Sequence, residues 1–137
     1  PTHAVYGRRS PAHCTAMGKA MLADLPFYEV RQIIKRCGWR PRTPNSITDF
    51  GKLEDELVHV KEQGYACDRG EYSLDTHCVG APIRGRLARP EGAISVSGPS
   101  ELIPDKRMKK ELPPIVKKYA AIISHHLGYD ERTHSFQ

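Results

Sequence analysis

The sequence predicts an α+β domain, an antiparallel sheet with helices packed on it. Three observations carry that expectation. Apolar residues recur at helical spacing up to Gly64. Two runs rich in β-branched and small residues follow, "HCVGAPIRG" and "GAISVSG", and "RLARPE" between them suits a hairpin loop. A long helical pattern then comes near the end. Helices, hairpin-linked strands and a final helix imply an antiparallel sheet rather than a run of βαβ units.

The elements follow in order. "CTAMGKAMLADLP" is a short helix capped by Thr15, whose hydroxyl can accept from a free first-turn N–H. Met17, Ala20 and Met21 share one face, and Gly18 lets another backbone come close. Pro26 stops this helix. "FYEVRQIIKRCG" is a second helix with Val30, Ile33 and Ile34 inward and Gly38 at its end. "WRPRTPNS" is a loop because of Pro41 and Pro44. "ITDFGKLEDELVHVKEQG" is a third helix, capped by Thr48 or Asp49, with Phe50, Leu53, Leu57 and Val60 as its buried stripe and Gly64 closing it. "YACDR" is a short strand before the hairpin. In "SELIPDKRMKKELPPIVKKYAAIISHHLG", Met108, Leu112, Ile115, Tyr119, Ile122 and Ile123 keep a helical period; Pro113-Pro114 kink it or mark a fresh start near Ile115. Gly128 ends it, and "YDERTHSFQ" is a polar tail.

The chain has 137 residues, 39% hydrophobic and 27% charged. That suits one domain with a core of its own. No apolar run reaches a membrane span, and the N-terminal stretch lacks the apolar region of a signal peptide. Because the chain begins with Pro, it is expected to be part of a longer protein. Four cysteines, Cys14, Cys37, Cys67 and Cys78, occur without a CxxC pair; they read as free thiols of a reducing cytoplasm. The net charge of +5 is spread over scattered Lys and Arg pairs, a solvated surface rather than a nucleic-acid face. Neither a helix-turn-helix pattern nor an aromatic RNA-binding motif is visible.

Three stretches hold candidate chemistry. The N–H groups of Ala16 and Met17 open a helix and favour an anion; taken alone, they better suit a plain helix start facing water. "GYACDRGEYSLDTHC" brings together metal-ligand and nucleophile residue types. Strand alternation puts Cys67 and Asp68 on opposite faces, and His77 and Cys78 likewise, so Asp68 and Cys78 are left sharing a side. Zinc would need His13, His59, His125 or His126 to complete its shell, and catalysis by Cys78 would need His13 or another distant base. A small core thiol is the plainer reading of Cys78. In "GAISVSGP", Ser95 and Ser97 face one way and Ile94 and Val96 the other. Such a strand could line a polar pocket or face solvent.

Together, "HCTAMGKAMLADLP", "ITDFGKLEDELVHVKEQGYACDRGEYSLDTHCVGAPIRG", "GAISVSGP" and "ISHHLGY" resemble, in order and spacing, the effector-binding domain of the IclR family of bacterial transcription regulators, from about Gly7 to Tyr129. The resemblance implies a GAF/profilin-like fold. It implies a non-enzymatic, cytoplasmic sensor that needs no cofactor. Its effector would be a small organic acid (a carboxylate, sugar acid or aromatic acid), controlling operator DNA through an N-terminal winged helix-turn-helix. That DNA-binding domain, the linker helix and the first strands of the effector domain are expected to lie outside residues 1–137. An unpaired sheet edge would then favour a homodimer or homotetramer. Carried over by motif, the ligand-binding residues are Ala16, Met17, Asp68, Cys78, Ser95 and Ser97. Two departures from the family pattern stand out. Arg69-Gly70 follow Asp68 where relatives are often more acidic, and Asp75 and His77 alter the stretch before Cys78, at the expected pocket rim. A zinc sensor and a Cys78-dependent enzyme are the competing readings.

Overall fold

A computed structural model describes residues 5–134. Three helices come first: α1 (Ala16–Leu22), α2 (Phe27–Cys37) and α3 (Phe50–Gln63). Three strands follow: β1 (Ala66–Arg69), β2 (Thr76–Arg84) and β3 (Pro90–Pro99). Then come α4 (Leu112–His126) and a short α5 (Glu131–His134). The strands form one antiparallel sheet in the order β1-β2-β3, so the α+β expectation holds.

The sheet has two differently used faces. Cys67, Val79 and Ala81 point to α4 and pack with Ile103, Met108, Leu112, Val116 and Ala120. The opposite face, carrying Asp68, Cys78, Gly80, Ser95 and Ser97, lies towards α1. Register makes this explicit. Asp68 pairs with Cys78 and Cys78 with Ser97, one row across all three strands, while Gly80 pairs with Ser95 in the row beyond. A second core joins α1, α2 and α3 through Leu22, Val30, Ile34, Leu53 and Leu57. Trp39 seals it, stacking edge-on against Phe50 and donating its indole N–H to Ile47 O at 2.7 Å.

Most sequence signals act as read. Thr15 caps α1, accepting from Gly18 N at 3.2 Å, and of the two candidates for α3 it is Asp49 that caps, accepting from Lys52 N at 2.9 Å. Gly64 ends α3 in the left-handed region, with φ of 82°. Ile33 and Phe50 are half-buried at the margin of the second core.

Five readings need correction. Met17, Ala20 and Met21, expected on one face, differ in burial: Ala20 is buried, Met21 half-buried and Met17 exposed. Ala16, Lys19, Ala20 and Leu22 go inward, whereas Met17 is 45% exposed. The hairpin loop is shorter than "RLARPE", since Pro90 and Glu91 already belong to β3, and the register slips there so that Ile83 pairs with Gly92 and Arg84 with Pro90. The helical stripe after Met108 runs instead through Leu112, Val116, Ala120 and Ser124, leaving Ile115, Tyr119 and Ile122 at 43–50% exposure. Pro113 and Pro114 sit in the first turn of α4, where a missing N–H costs nothing; a π-helical turn, Arg107–Glu111, leads into it. The fresh start is thus at Leu112 rather than near Ile115. Finally, the polar tail holds a helical turn, α5.

One carboxylate ties three elements at the far end of α1. Asp24, its side chain buried, accepts from both Arg84 at the end of β2 and Lys61 on α3. None of the helices among the described residues is long and apolar enough to cross a membrane.

Candidate functional site

The start of α1 is placed by two glycines. A Cβ on Gly18 would lie 2.4 Å from Ala12 O, so only glycine lets the preceding 3₁₀ turn, Ala12–Cys14, fold back on the helix. A Cβ on Gly80 would lie 3.2 Å from Ala16 C and from Met17 N. The first peptide of α1 therefore rests directly on the middle of β2. Thr15 fixes it further, donating to Pro11 O at 3.0 Å while capping Gly18 N. Ala16 and Met17 are left with N–H groups that have no intrahelical acceptor.

Between this helix start and the sheet lies a cavity of about 520 Å³, within the usual size of small-molecule sites. Its lining includes all six residues singled out from the sequence: Ala16, Met17, Asp68, Cys78, Ser95 and Ser97. Thr15, Tyr72, Asp75 and Glu101 complete much of the rest. The cavity's charged lining residues are Asp68, Asp75 and Glu101, all acidic, in a chain of net charge +5.

Asp68 is 2% exposed, and its carboxylate accepts from Glu71 N at 2.7 Å. Burial raises its pKa above the ordinary carboxylate value, opposed by that backbone N–H, by Lys19 and by the backbone of Tyr72. Cys78 donates its thiol to Ser97 Oγ at 3.0 Å, which leaves the Ser97 hydroxyl hydrogen free to turn into the cavity. Burial also pushes the Cys78 thiol up, against the Ser97 hydrogen bond. It is therefore held as a thiol, the wrong state for a nucleophile. His77 Nδ1 sits 2.9 Å from Ile103 O, on the sheet face away from Cys78. That corrects its expected place at the rim, whereas Asp75 does line the cavity. Among the described residues, no group of three or more His, Cys, Asp or Glu side chains is placed to hold a metal ion.

Sequence reasoning missed the support beneath the cavity. Lys19, 1% exposed, donates to Glu71 Oε2 at 2.7 Å and to Glu56 Oε1 at 2.8 Å. Burial alone would lower the Lys19 pKa, but the two glutamates raise it, so the amine stays charged. Burial raises Glu71, although Lys19 opposes it, and Glu71 Oε1 has no hydrogen-bond partner. The one clue in sequence was a lysine set between the small residues Gly18 and Ala20. A second cavity, of about 600 Å³, lies between β2, α4 and α5. Its Arg84 and Lys61 are already engaged by Asp24, and Lys117 by Gln63 O at 3.0 Å.

Comparison with known proteins agrees with this architecture. The family described as "Bacterial transcriptional regulator IclR C-terminal" matches residues 2–125. The HTH-type transcriptional repressor AllR of Escherichia coli is 32% identical over 125 residues, 91% of this chain and 46% of AllR. The chain thus spans about half the length of the curated relatives it matches. Among solved structures, Thermotoga maritima IclR superposes with a TM-score of 0.88 at 32% identity, covering 94% of this chain and 52% of that one. The Agobacterium tumefaciens repressor BlcR gives 0.85 at 29% identity, covering 93% and 51%. A matched family profile over nearly the whole chain, the same fold in its solved members and the placement of α1 over the sheet lead to one assignment: the chain belongs to the IclR family of bacterial transcription regulators, to its C-terminal domain.

Proposed function

We propose that this chain is the effector-sensing part of a longer, cytoplasmic IclR-type regulator. It binds a small organic acid in the cavity under α1. Binding controls operator DNA through a winged helix-turn-helix domain that precedes this region in the full protein. By likeness to relatives named as repressors, the full protein represses transcription. The full protein works as a homodimer or homotetramer, which light scattering of the purified protein checks; a monomer at high concentration would contradict it.

The observation that carries this reading is the cavity's make-up. Donors converge on it from two sides, the Ala16 and Met17 N–H groups at the helix start and the Ser95 and Ser97 hydroxyls on the sheet. Acceptors occupy a third side, with Asp68 deepest. A ligand carboxylate fits the helix end, because the acidic lining repels it elsewhere. A ligand hydroxyl fits Asp68, which can only accept when ionised. A hydroxy acid or sugar acid satisfies both. Its effect on DNA binding follows from unequal affinity for two conformers that hold the DNA-binding domains differently.

A thermal-shift screen of hydroxy acids, sugar acids and aromatic acids identifies the effector class, because a ligand that binds only the folded state raises Tm with concentration. Calorimetry then compares the wild type with Ser95→Ala/Ser97→Ala. We expect at least a tenfold loss of affinity, equivalent to about 1.4 kcal/mol, with Tm of the free protein within a few degrees. Unchanged affinity in the double variant would remove the cavity assignment.

A further inference from the structure

We propose that Lys19 and Glu71 are positioning residues for the cavity. Their buried ion pair fixes the start of α1 against the loop between β1 and β2, and so sets the shape an effector meets. This rests on the reading of the cavity as the effector site. Neither residue is among the lining side chains.

The geometry is a chain of contacts from one wall to the other. Lys19 lies within one helical turn of Ala16 and Met17 and is 1% exposed. Its amine reaches Glu71 Oε2 at 2.7 Å, across from α1 to the 70–75 loop, and Glu56 Oε1 at 2.8 Å on α3. Glu71 N in turn donates to Asp68 Oδ1 at 2.7 Å, which orients the deepest acceptor of the cavity. The carbonyl of Glu71 accepts from Ser46 Oγ at 2.6 Å and Thr43 Oγ1 at 3.2 Å, so the loop after α2 holds the same residue from outside. Tyr72 and Asp75, next along this loop, line the cavity. One residue thus connects the helix wall, the acceptor wall and the rim.

The placement is too demanding to be a mere filler of space. A buried ammonium is costly unless paired and hydrogen-bonded. An apolar side chain at position 19 would suit the small neighbours of α1 at no such cost. What a directed ion pair adds over apolar packing is a fixed distance and orientation between two elements.

Alkylation of Cys78 by iodoacetamide, at one fixed alkaline pH that supplies some thiolate, reads how closed the cavity is without any effector. Cys78 is partly exposed in the cavity, whereas Cys14 and Cys67 are buried and serve as internal controls; the exposed Cys37 is first replaced in a Cys37→Ser background. Glu71→Gln removes the charge but keeps an acceptor for Lys19. Lys19→Met/Glu71→Met removes the directed pair and keeps the volume. We expect Glu71→Gln to label within about twofold of the background, and the double variant at least fivefold faster at a comparable Tm. Equal rates in the two variants would overturn the proposal: equally raised, they report the lost Glu71 charge acting on the thiol, and equally unchanged, they show that the pair does not shape the cavity. Should the double variant not fold, Thr43→Val/Ser46→Ala loosens the same loop without touching a buried charge. It must then label faster than the background, or the proposal fails. The Ser95/Ser97 calorimetry tests the use of the cavity and the labelling tests its positioning, so either can fail without the other.

Discussion

At the scale of single residues, burial decides more than residue type. Asp68 and Cys78 invited a metal or nucleophile reading by their chemistry. Their row across the strands, Asp68 to Cys78 to Ser97, was legible from alternation alone, because side chains two apart share a face. What alternation could not supply was depth. Lys19 is buried because a neighbouring loop brings Glu71 to it from 52 positions away, and no local pattern encodes such a pairing. The buried acids carry a pH signature. Asp68 and Glu71 both have pKa values raised by burial. The unfolded chain releases those protons near the ordinary values of 3.8 and 4.5, while the folded chain holds them longer. Their contribution to stability is thus complete below about pH 4 and lost as pH rises through the raised values. Asp68→Asn keeps an acceptor for Glu71 N and removes the charge. Its Tm, measured against wild type, should compare more favourably at pH 7 than at pH 4. An identical difference at both pH values would contradict a raised Asp68.

At the scale of elements, boundaries written by local chemistry were legible. Thr15, Asp49, Gly64 and Gly128 mark helix ends in the sequence and in the structure alike, since caps act within one turn. Faces chosen by packing were less so. The stripe on α4 was misread by one helical position because Ile115 and Val116 are equally apolar, and only the sheet beneath selects Val116. α1 fared similarly, because Met17 is apolar yet turned to the cavity mouth. Gly18 was read for close approach, and its partner is the Ala12 backbone. A methyl there meets a main chain that cannot rotate away. Gly18→Ala should cost about 1–3 kcal/mol, the usual range for overpacking, and lower Tm by several degrees in a thermal melt. A Tm within one degree of wild type would show that the 3₁₀ turn yields freely.

At the scale of the whole molecule, the order of elements foretold the α+β architecture, and the motif string foretold the family. The cavity itself was implied by the resemblance rather than by any pattern of periodicity, since its lining comes from α1 and the stretch before it, all three strands, the loop between β1 and β2 and the turn after β3. The zinc reading has a molecule-wide test. Chelation with EDTA should leave Tm unchanged, whereas a drop of several degrees would restore a structural metal. The clamp at Asp24 carries a consequence of another kind. The Arg84 guanidinium and the Lys61 ammonium both reach Asp24 Oδ1, each at 2.9 Å. Two cations therefore converge on one oxygen, and their mutual repulsion is hidden only while that oxygen is charged. Substituting an uncharged side chain at 24 would turn a fastener into a repulsive contact: the half-exposed Lys61 would swing into water and α3 would lose its tie to β2 at the seam where α1 ends.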